Sequence, residues 1–76
     1  MDAAMNHDSI IPLYAQVEEQ LKRDIENGVY SKNGRIPTEA ELAKQYNVSR
    51  ITVRRAVEDL VSQGLVEKKQ GKGTFV

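Results

Sequence analysis

Apolar residues recur at helical spacing in three separate stretches of the chain. In the first stretch they stand at every fourth position: Leu13, Val17, Leu21 and Ile25. This spacing predicts an amphipathic helix from about Pro12 to Asn27, with charged and amide side chains on its other face. Gly28 can take the left-handed conformation that ends a helix, and Val29 and Tyr30 are expected to fold back onto the core.

The second helix has a clear start signal in the sequence. Thr38 and Glu41 have the spacing of a capping box, in which each side chain accepts a hydrogen bond from the other residue's backbone N–H. The helix that follows is short and is expected to stop at Asn47. Its apolar face comprises three residues: Leu42, Ala43 and Tyr46.

A tight turn leads into the third helix. Val48 is a lone apolar residue in this turn, where it can fill the corner between two helices, and Ser49 is a favourable N-cap. The third helix is predicted from about Arg50 to Gln63, with Gly64 ending it. Four residues are expected to form its buried stripe: Val53, Ala56, Val57 and Leu60.

The last part of the chain changes to a strand pattern. Residues 65–69 alternate loosely, residues 70–73 contain two glycines, and residues 74–76 are β-branched and aromatic, which together predict a β-hairpin. Ahead of the second helix, residues 31–35 have the composition of a loop with a turn at Asn33 and Gly34. Ile36 precedes Pro37 and is therefore expected to be extended.

This order of elements predicts a winged helix-turn-helix domain. The fold class is α+β, with three helices followed by a C-terminal β-hairpin wing. The chain has 76 residues, which is enough for one small core. Residues 1–9 are polar and acidic, so we expect a flexible tail and not a signal peptide. Residues 10–76 are expected to form the domain.

Charge and composition limit the kinds of partner and site that the chain can have. The formal net charge is zero, yet residues 1–48 carry five basic and eight acidic groups, whereas residues 49–76 carry six basic and three acidic ones. The basic end coincides with the third helix and the wing, although ordinary solvated surface would give the same counts. No apolar stretch could span a membrane. The absence of cysteine excludes disulfides and thiolate metal sites, and it fits a reducing cytoplasm without proving that location. The sequence offers no set of metal ligands, and no cofactor is expected.

The outer side of the third helix carries the candidate DNA-reading residues. In a helix-turn-helix unit this helix lies in the major groove and presents its N-terminal half to base edges. Four residues lie opposite its apolar stripe, with Arg50 flanking them: Ile51, Arg54, Arg55 and Glu58. An arginine fork can bond guanine O6 and N7, and the hydroxyls of Ser49 and Thr52 can bond phosphate or base. Ile51 fits either contact with a thymine methyl group or an ordinary exposed apolar position.

The hairpin turn combines lysine with glycine. Lys68, Lys69 and Lys72 surround Gly71 and Gly73. Glycine lets a backbone approach a partner closely, so a glycine tip flanked by lysine fits a minor groove. A plain hairpin with solvated lysines would have the same residues, but the position directly after a recognition-type helix favours DNA contact.

Two other classes of function fit the pattern less well. A winged helix can serve as a protein-interaction module, but the outer side of the third helix carries arginines and not aromatic docking residues. Enzyme activity is not expected, because the sole histidine, His7, lies in the polar tail and no nucleophile–base pair is evident.

Five segments of the chain together resemble the GntR family of bacterial repressors: residues 38–46, 48–50 and 52–54, Leu60 with Gly64 and Leu65, and residues 71–76. The opening residues, Pro12–Gln16, resemble the HutC-type branch of that family. The resemblance implies duplex DNA with a pseudo-palindromic operator as the partner, read by the third helix in the major groove and the wing in the minor groove.

Carried over by position, the resemblance assigns DNA contacts to the cap and outer side of the third helix and to the wing tip: Ser49, Arg50, Thr52, Arg54, Gln70, Gly71 and Lys72. Four more residues belong to the predicted site because of their chemistry or their position at the end of an element: Thr38, Ile51, Arg55 and Gly73. Many family members have arginine two residues after the capping Ser or Thr. Here that residue is Ala40, which removes one expected contact.

The resemblance also implies a larger protein. Family members carry a C-terminal domain that binds a small-molecule effector and forms a homodimer. We therefore expect this chain to be the N-terminal DNA-binding domain of a dimeric, metabolite-responsive transcription regulator, a repressor, with the effector domain absent from the chain.

Overall fold

A computed structural model describes residues 5–76 of the chain. It contains three helices and one hairpin: α1 (Leu13–Glu26), α2 (Glu39–Tyr46), α3 (Arg50–Ser62), β1 (Glu67–Lys69) and β2 (Gly73–Phe75). This is the predicted winged helix-turn-helix order, and each helix ends within one residue of its predicted boundary. No helix among the described residues is long and apolar enough to cross a membrane.

The core lies between the three helices and is closed by two residues from outside them. Most buried side chains come from the predicted apolar stripes, one comes from the segment before α2, and one comes from the segment after α3. The buried residues are Val17, Leu21, Ile36, Leu42, Ala43, Tyr46, Val53, Ala56, Val57, Leu60 and Val66. Val48 packs against this cluster from the turn between α2 and α3, as predicted. Burial of these apolar surfaces is the main source of stability for so small a domain.

The prediction for Val29 is wrong. Tyr30 packs against the core as expected, but Val29 is 61% exposed. Gly28 takes the left-handed conformation that ends α1, with φ 76°, and the Val29 N–H donates to the carbonyl of Asp24. This turn directs only one of the two apolar residues inward.

Side-chain caps begin both helices of the helix-turn-helix unit. Thr38 Oγ1 accepts from the Glu41 N–H at 3.1 Å, and Glu41 Oε1 accepts from the Thr38 N–H at 2.9 Å, so the predicted capping box is formed. Asn47 ends α2 in the left-handed conformation, with φ 55°. Ser49 Oγ then accepts from the Thr52 N–H at 3.1 Å and caps α3, so that only three residues separate α3 from the end of α2.

A third backbone segment, which was not predicted, pairs with the outer edge of the hairpin. β1 and β2 pair antiparallel, with Lys68 opposite Thr74. The Ile36 N–H donates to the Thr74 carbonyl at 2.9 Å, and the Val76 N–H donates to the Gly34 carbonyl at 2.9 Å. An isolated bridge joins Arg35 to Phe75. The segment expected to be a free loop therefore ties the wing to the residues that lead into α2.

Hydrogen bonds of the Gln16 side-chain amide attach the N-terminal segment to α1. Gln16 Nε2 donates to the carbonyls of Asn6 and Ile11 at 2.9 and 2.8 Å, and Gln16 Oε1 accepts from the Asn6 N–H at 2.8 Å. The Met5 N–H donates to the Tyr46 carbonyl at 3.4 Å. The flexible tail was predicted over residues 1–9, of which residues 1–4 lie outside the described residues. Within residues 5–9, Met5 and Asn6 make the contacts given above.

Candidate nucleic-acid interface

The N-terminal half of α3 presents an exposed surface opposite its buried stripe. Val53 is fully buried and Val57 nearly so, whereas Ile51 is 76% exposed. Arg50 and Arg54 are also exposed. The structure therefore places these predicted contacts on the outer side of α3, where they could reach base edges in a groove.

Ser49 and Thr52 form a hydroxyl pair at the start of α3. Their oxygens lie 2.8 Å apart, so one hydroxyl donates to the other. Ser49 Oγ also accepts the Thr52 N–H. A hydroxyl has one donor and two acceptor positions, so the pair keeps one O–H donor for a phosphate or base while it caps the helix.

Arg54 is held by a carboxylate of α2. Its Nε and Nη2 atoms each lie 3.2 Å from an oxygen of Glu39. The hydrogen bond from Arg54 lowers the pKa of the Glu39 carboxyl; partial burial opposes this, and the positive charges of Arg54, Lys68 and Arg50 lower the pKa further. The ion pair joins the start of α2 to α3, and Lys68 of β1 lies within electrostatic range of Glu39.

Arg55 points toward α1 instead. Its guanidinium carbon lies 3.7 Å from the ring centroid of Tyr14, a stacked cation–π contact. The structure thus does not bring Arg55 into the group formed by Arg54, Glu39 and Arg50. Stacking still leaves the guanidinium N–H groups in its plane free to donate.

The wing tip is exposed throughout, including Gln70, Gly71 and Lys72. The Lys72 N–H donates to the Lys69 carbonyl at 2.9 Å and closes the turn. A Cβ added at Gly71 would have no neighbour within 4 Å, whereas one added at Gly73 would lie 2.8 Å from Cδ of Arg35. Gly71 therefore leaves open space at the tip, whereas a side chain at Gly73 would displace that of Arg35.

Arg35 is a basic residue that the sequence reasoning did not place in the site. Its exposed side chain passes over Gly73 and borders a cleft of about 170 Å³ between the wing and the start of α2, where Thr38 and Glu39 also lie. Its position just before the capping box was a weak signal, because the pairing that places it beside the wing involves β2, far along the chain.

A larger open groove lies elsewhere on the molecule. It measures about 520 Å³ and is lined by the N-terminal segment and α1, including Ile11, Gln16 and Arg23. None of the predicted DNA-binding residues lines it. Within residues 5–76 there is also no group of three His, Cys, Asp or Glu side chains placed to hold a metal ion.

Comparison with known proteins shows the family to which the chain belongs. Residues 13–76 match the family described as bacterial regulatory proteins, gntR family. The chain belongs to the GntR family. The prediction of a DNA-binding domain of a transcription regulator is thereby confirmed, and membership in a family of regulators agrees with the expectation that the chain is not an enzyme.

Named relatives in the GntR family are regulators and repressors. The chain is 53% identical over 72 residues to the uncharacterized HTH-type transcriptional regulator YurK of Bacillus subtilis (strain 168), covering 95% of the chain and 30% of that protein. It is 58% identical over 64 residues to the probable fructoselysine utilization operon transcriptional repressor of Escherichia coli (strain K12), covering 84% and 26%. The chain thus spans less than a third of these relatives.

A solved structure of a DNA complex has the same fold. The crystal structure of AraR(DBD) in complex with operator ORE1 superposes with a TM-score of 0.85 at 47% identity, covering 95% of this chain and 88% of that one. The predicted fold, three helices followed by a hairpin wing, is confirmed.

Proposed function

We propose that this chain reads operator DNA as the N-terminal domain of a bacterial, metabolite-responsive repressor. The observation that carries the proposal is the exposed N-terminal half of α3, where Arg50, Ile51 and Arg54 project away from the core beside the start of α2 and the basic strand β1. The complex of AraR(DBD) with operator ORE1 supports it, because that chain has the same fold at 47% identity.

In this proposal α3 enters the major groove, which is wide enough for a helix. Arg50 and Arg54 read base edges, Ile51 contacts a thymine methyl group, and the Ser49–Thr52 hydroxyl pair and Thr38 bond the backbone. The wing carries Gln70, Gly71, Lys72 and Gly73 into the adjacent minor groove, and Arg55 bonds phosphate from its place above Tyr14.

The branch of the family is proposed as HutC-type on the basis of the opening residues, Pro12–Gln16. Two of these residues make side-chain contacts outside α1. Gln16 holds the N-terminal segment against α1, and Tyr14 stacks beneath Arg55 of α3. The motif therefore links the start of α1 both to the preceding segment and to the proposed DNA-reading helix.

The remaining parts of the proposal concern the whole protein. Since the chain spans 30% and 26% of its named relatives, a C-terminal domain would bind the effector and join two copies in a homodimer. Two-fold symmetry then calls for a pseudo-palindromic operator. One domain covers only a half-site and should bind it weakly, so a tight complex of this chain on one half-site would contradict the dimer proposal. Genomic DNA as the target places the protein in the cytoplasm.

An NMR titration of the labelled chain with mixed-sequence duplexes at two salt concentrations tests the DNA-binding surface. We expect shifts at Thr38, Ser49–Arg55 and Gln70–Gly73 that weaken as salt rises, because phosphate binding releases counterions. Their absence at low salt would overturn the proposal and favour a protein-interaction module.

A matched pair of variants sharpens this titration. Arg50→Ala should lower duplex affinity. Arg23→Ala removes the same charge from α1, where Arg23 pairs with Glu19 in exposed surface, and should leave affinity unchanged. Equal losses in both variants would mean that affinity follows net charge and not the proposed surface.

A further inference from the structure

Glu39 stands in an unusual place for an acidic residue. It is the first residue of α2, its side chain is only 25% exposed, and it lies on the surface that the proposed function turns toward DNA. Its two carboxylate oxygens accept hydrogen bonds from Nε and Nη2 of Arg54, each at 3.2 Å. Two parallel bonds of this kind fix the plane of a guanidinium group, which a single bond would leave free to rotate.

The pair determines which edge of Arg54 stays available. A guanidinium group has five N–H donors, and Glu39 occupies the edge made by Nε and Nη2. The edge made by Nη1 and Nη2 keeps its donors, and the Arg54 side chain is 54% exposed. That remaining edge is itself a fork of two parallel donors, which is the arrangement that recognises guanine O6 and N7 together.

The geometry therefore points to Glu39 as a positioning residue that determines base specificity: by binding one edge of Arg54, it presents the other edge to a guanine in the major groove. This inference rests on the proposed function, since it requires α3 to lie in that groove. The carboxylate would act through Arg54 without touching the base.

The same carboxylate should also weaken unspecific binding. Arg50 and Lys68 lie close enough to lower its pKa, so it partly offsets the positive charge that any phosphate backbone would attract. An exposed ion pair adds little to stability. Loss of the Glu39 charge should therefore have two opposite signatures, weaker discrimination between bases and stronger affinity for unrelated DNA, which a purely stabilising role would not produce.

The test begins with the wild-type chain and a duplex selected by it from a random pool. Fluorescence anisotropy then gives Kd for that duplex, for each single base-pair change, and for an unrelated duplex. The position at which Arg54→Ala abolishes discrimination identifies the guanine. At that position we expect Glu39→Gln to reduce discrimination roughly tenfold, since a bidentate arginine–guanine pair is worth about that much or more.

Glu41→Gln is the matched control. It makes the same charge change two residues later in α2, and Glu41 bonds Thr38 and not Arg54. Glutamine also serves in a capping box, so this variant should keep wild-type discrimination. Glu39→Asp keeps the charge but shortens the side chain, and it should lose discrimination without gaining affinity for unrelated DNA; it also supplies the comparison if Glu39→Gln does not fold.

A second measurement follows the pair directly in the free protein. The Nε–H resonance of Arg54 should move in Glu39→Gln and stay in place in Glu41→Gln. Unchanged discrimination in the Glu39 variants would overturn the positioning role while leaving DNA reading intact. If the wild-type chain binds no duplex even at low salt, the proposed function fails first and this inference fails with it.

Discussion

Replacing Gly73 with alanine should destabilise the wing more than the same replacement at Gly71, two residues earlier. Both glycines have positive φ, 126° at Gly73 and 76° at Gly71. They differ in surroundings: a Cβ at Gly71 would meet open space, whereas a Cβ at Gly73 would lie 2.8 Å from Cδ of Arg35. Alanine at Gly73 therefore meets a steric conflict in addition to backbone strain, and an Arg35→Ala background separates the two.

The expected magnitudes follow from these two differences. Alanine in the left-handed region at Gly71 should cost about 1–2 kcal/mol. At Gly73 the φ value is one that glycine adopts far more readily than other residues, which costs on the order of 1–3 kcal/mol. Arg35 must also leave its position, at roughly 1 kcal/mol for a strained side chain. In an Arg35→Ala background the second contribution should disappear.

Urea unfolding followed by circular dichroism gives the free energy of unfolding for each variant. Amide hydrogen exchange locates the loss, because the Ile36 N–H donates to the Thr74 carbonyl at the base of the wing. We expect faster exchange at Ile36 in Gly73→Ala and little change there in Gly71→Ala. Equal losses in the two variants, or no recovery with Arg35→Ala, would refute the steric argument.

Three further predictions concern single contacts. Thr38→Ala should lower the free energy of unfolding by about 1 kcal/mol, because its hydroxyl accepts a first-turn N–H; an unchanged urea midpoint would contradict the cap. Tyr14→Leu should cost about 0.5–1 kcal/mol through loss of the ring beneath Arg55, whereas Tyr14→Phe should cost less, and equal costs would count against the stacking. Arg54 holds the pKa of Glu39 below its usual value. The stability this gives is present above the ordinary glutamate pKa and lost as pH falls through the lowered one, so wild type and Glu39→Gln should converge in acid, and a constant difference would refute the linkage.

Interactions over a few residues were predictable because both partners stand side by side in the sequence. The Thr38 and Ser49 caps each join groups three residues apart, and the left-handed end of α1 falls at a glycine, where that conformation costs least. The apolar stripes likewise repeat with the helical period. Such signals predicted the three helices, the tight turn and the wing.

Direction within a turn was less predictable. Val29 and Tyr30 are adjacent apolar residues, and hydrophobicity alone gave no reason to bury one and expose the other. The backbone turn after Gly28 decided it. The same limit applied to Ser31–Arg35, whose composition indicates a loop but whose backbone pairs with β2.

The sequence by itself determined the helices, their caps and the basic outer side of α3, because these depend on spacing and local hydrogen bonds. Only the tertiary structure decided the partners of that surface. Arg54 meets Glu39 from 15 residues away, Arg55 stacks on Tyr14 of α1, and Arg35 lies against Gly73 of the wing. Packing brings these groups together from separate elements, and no local pattern records which arginine is held and which edge of it remains free.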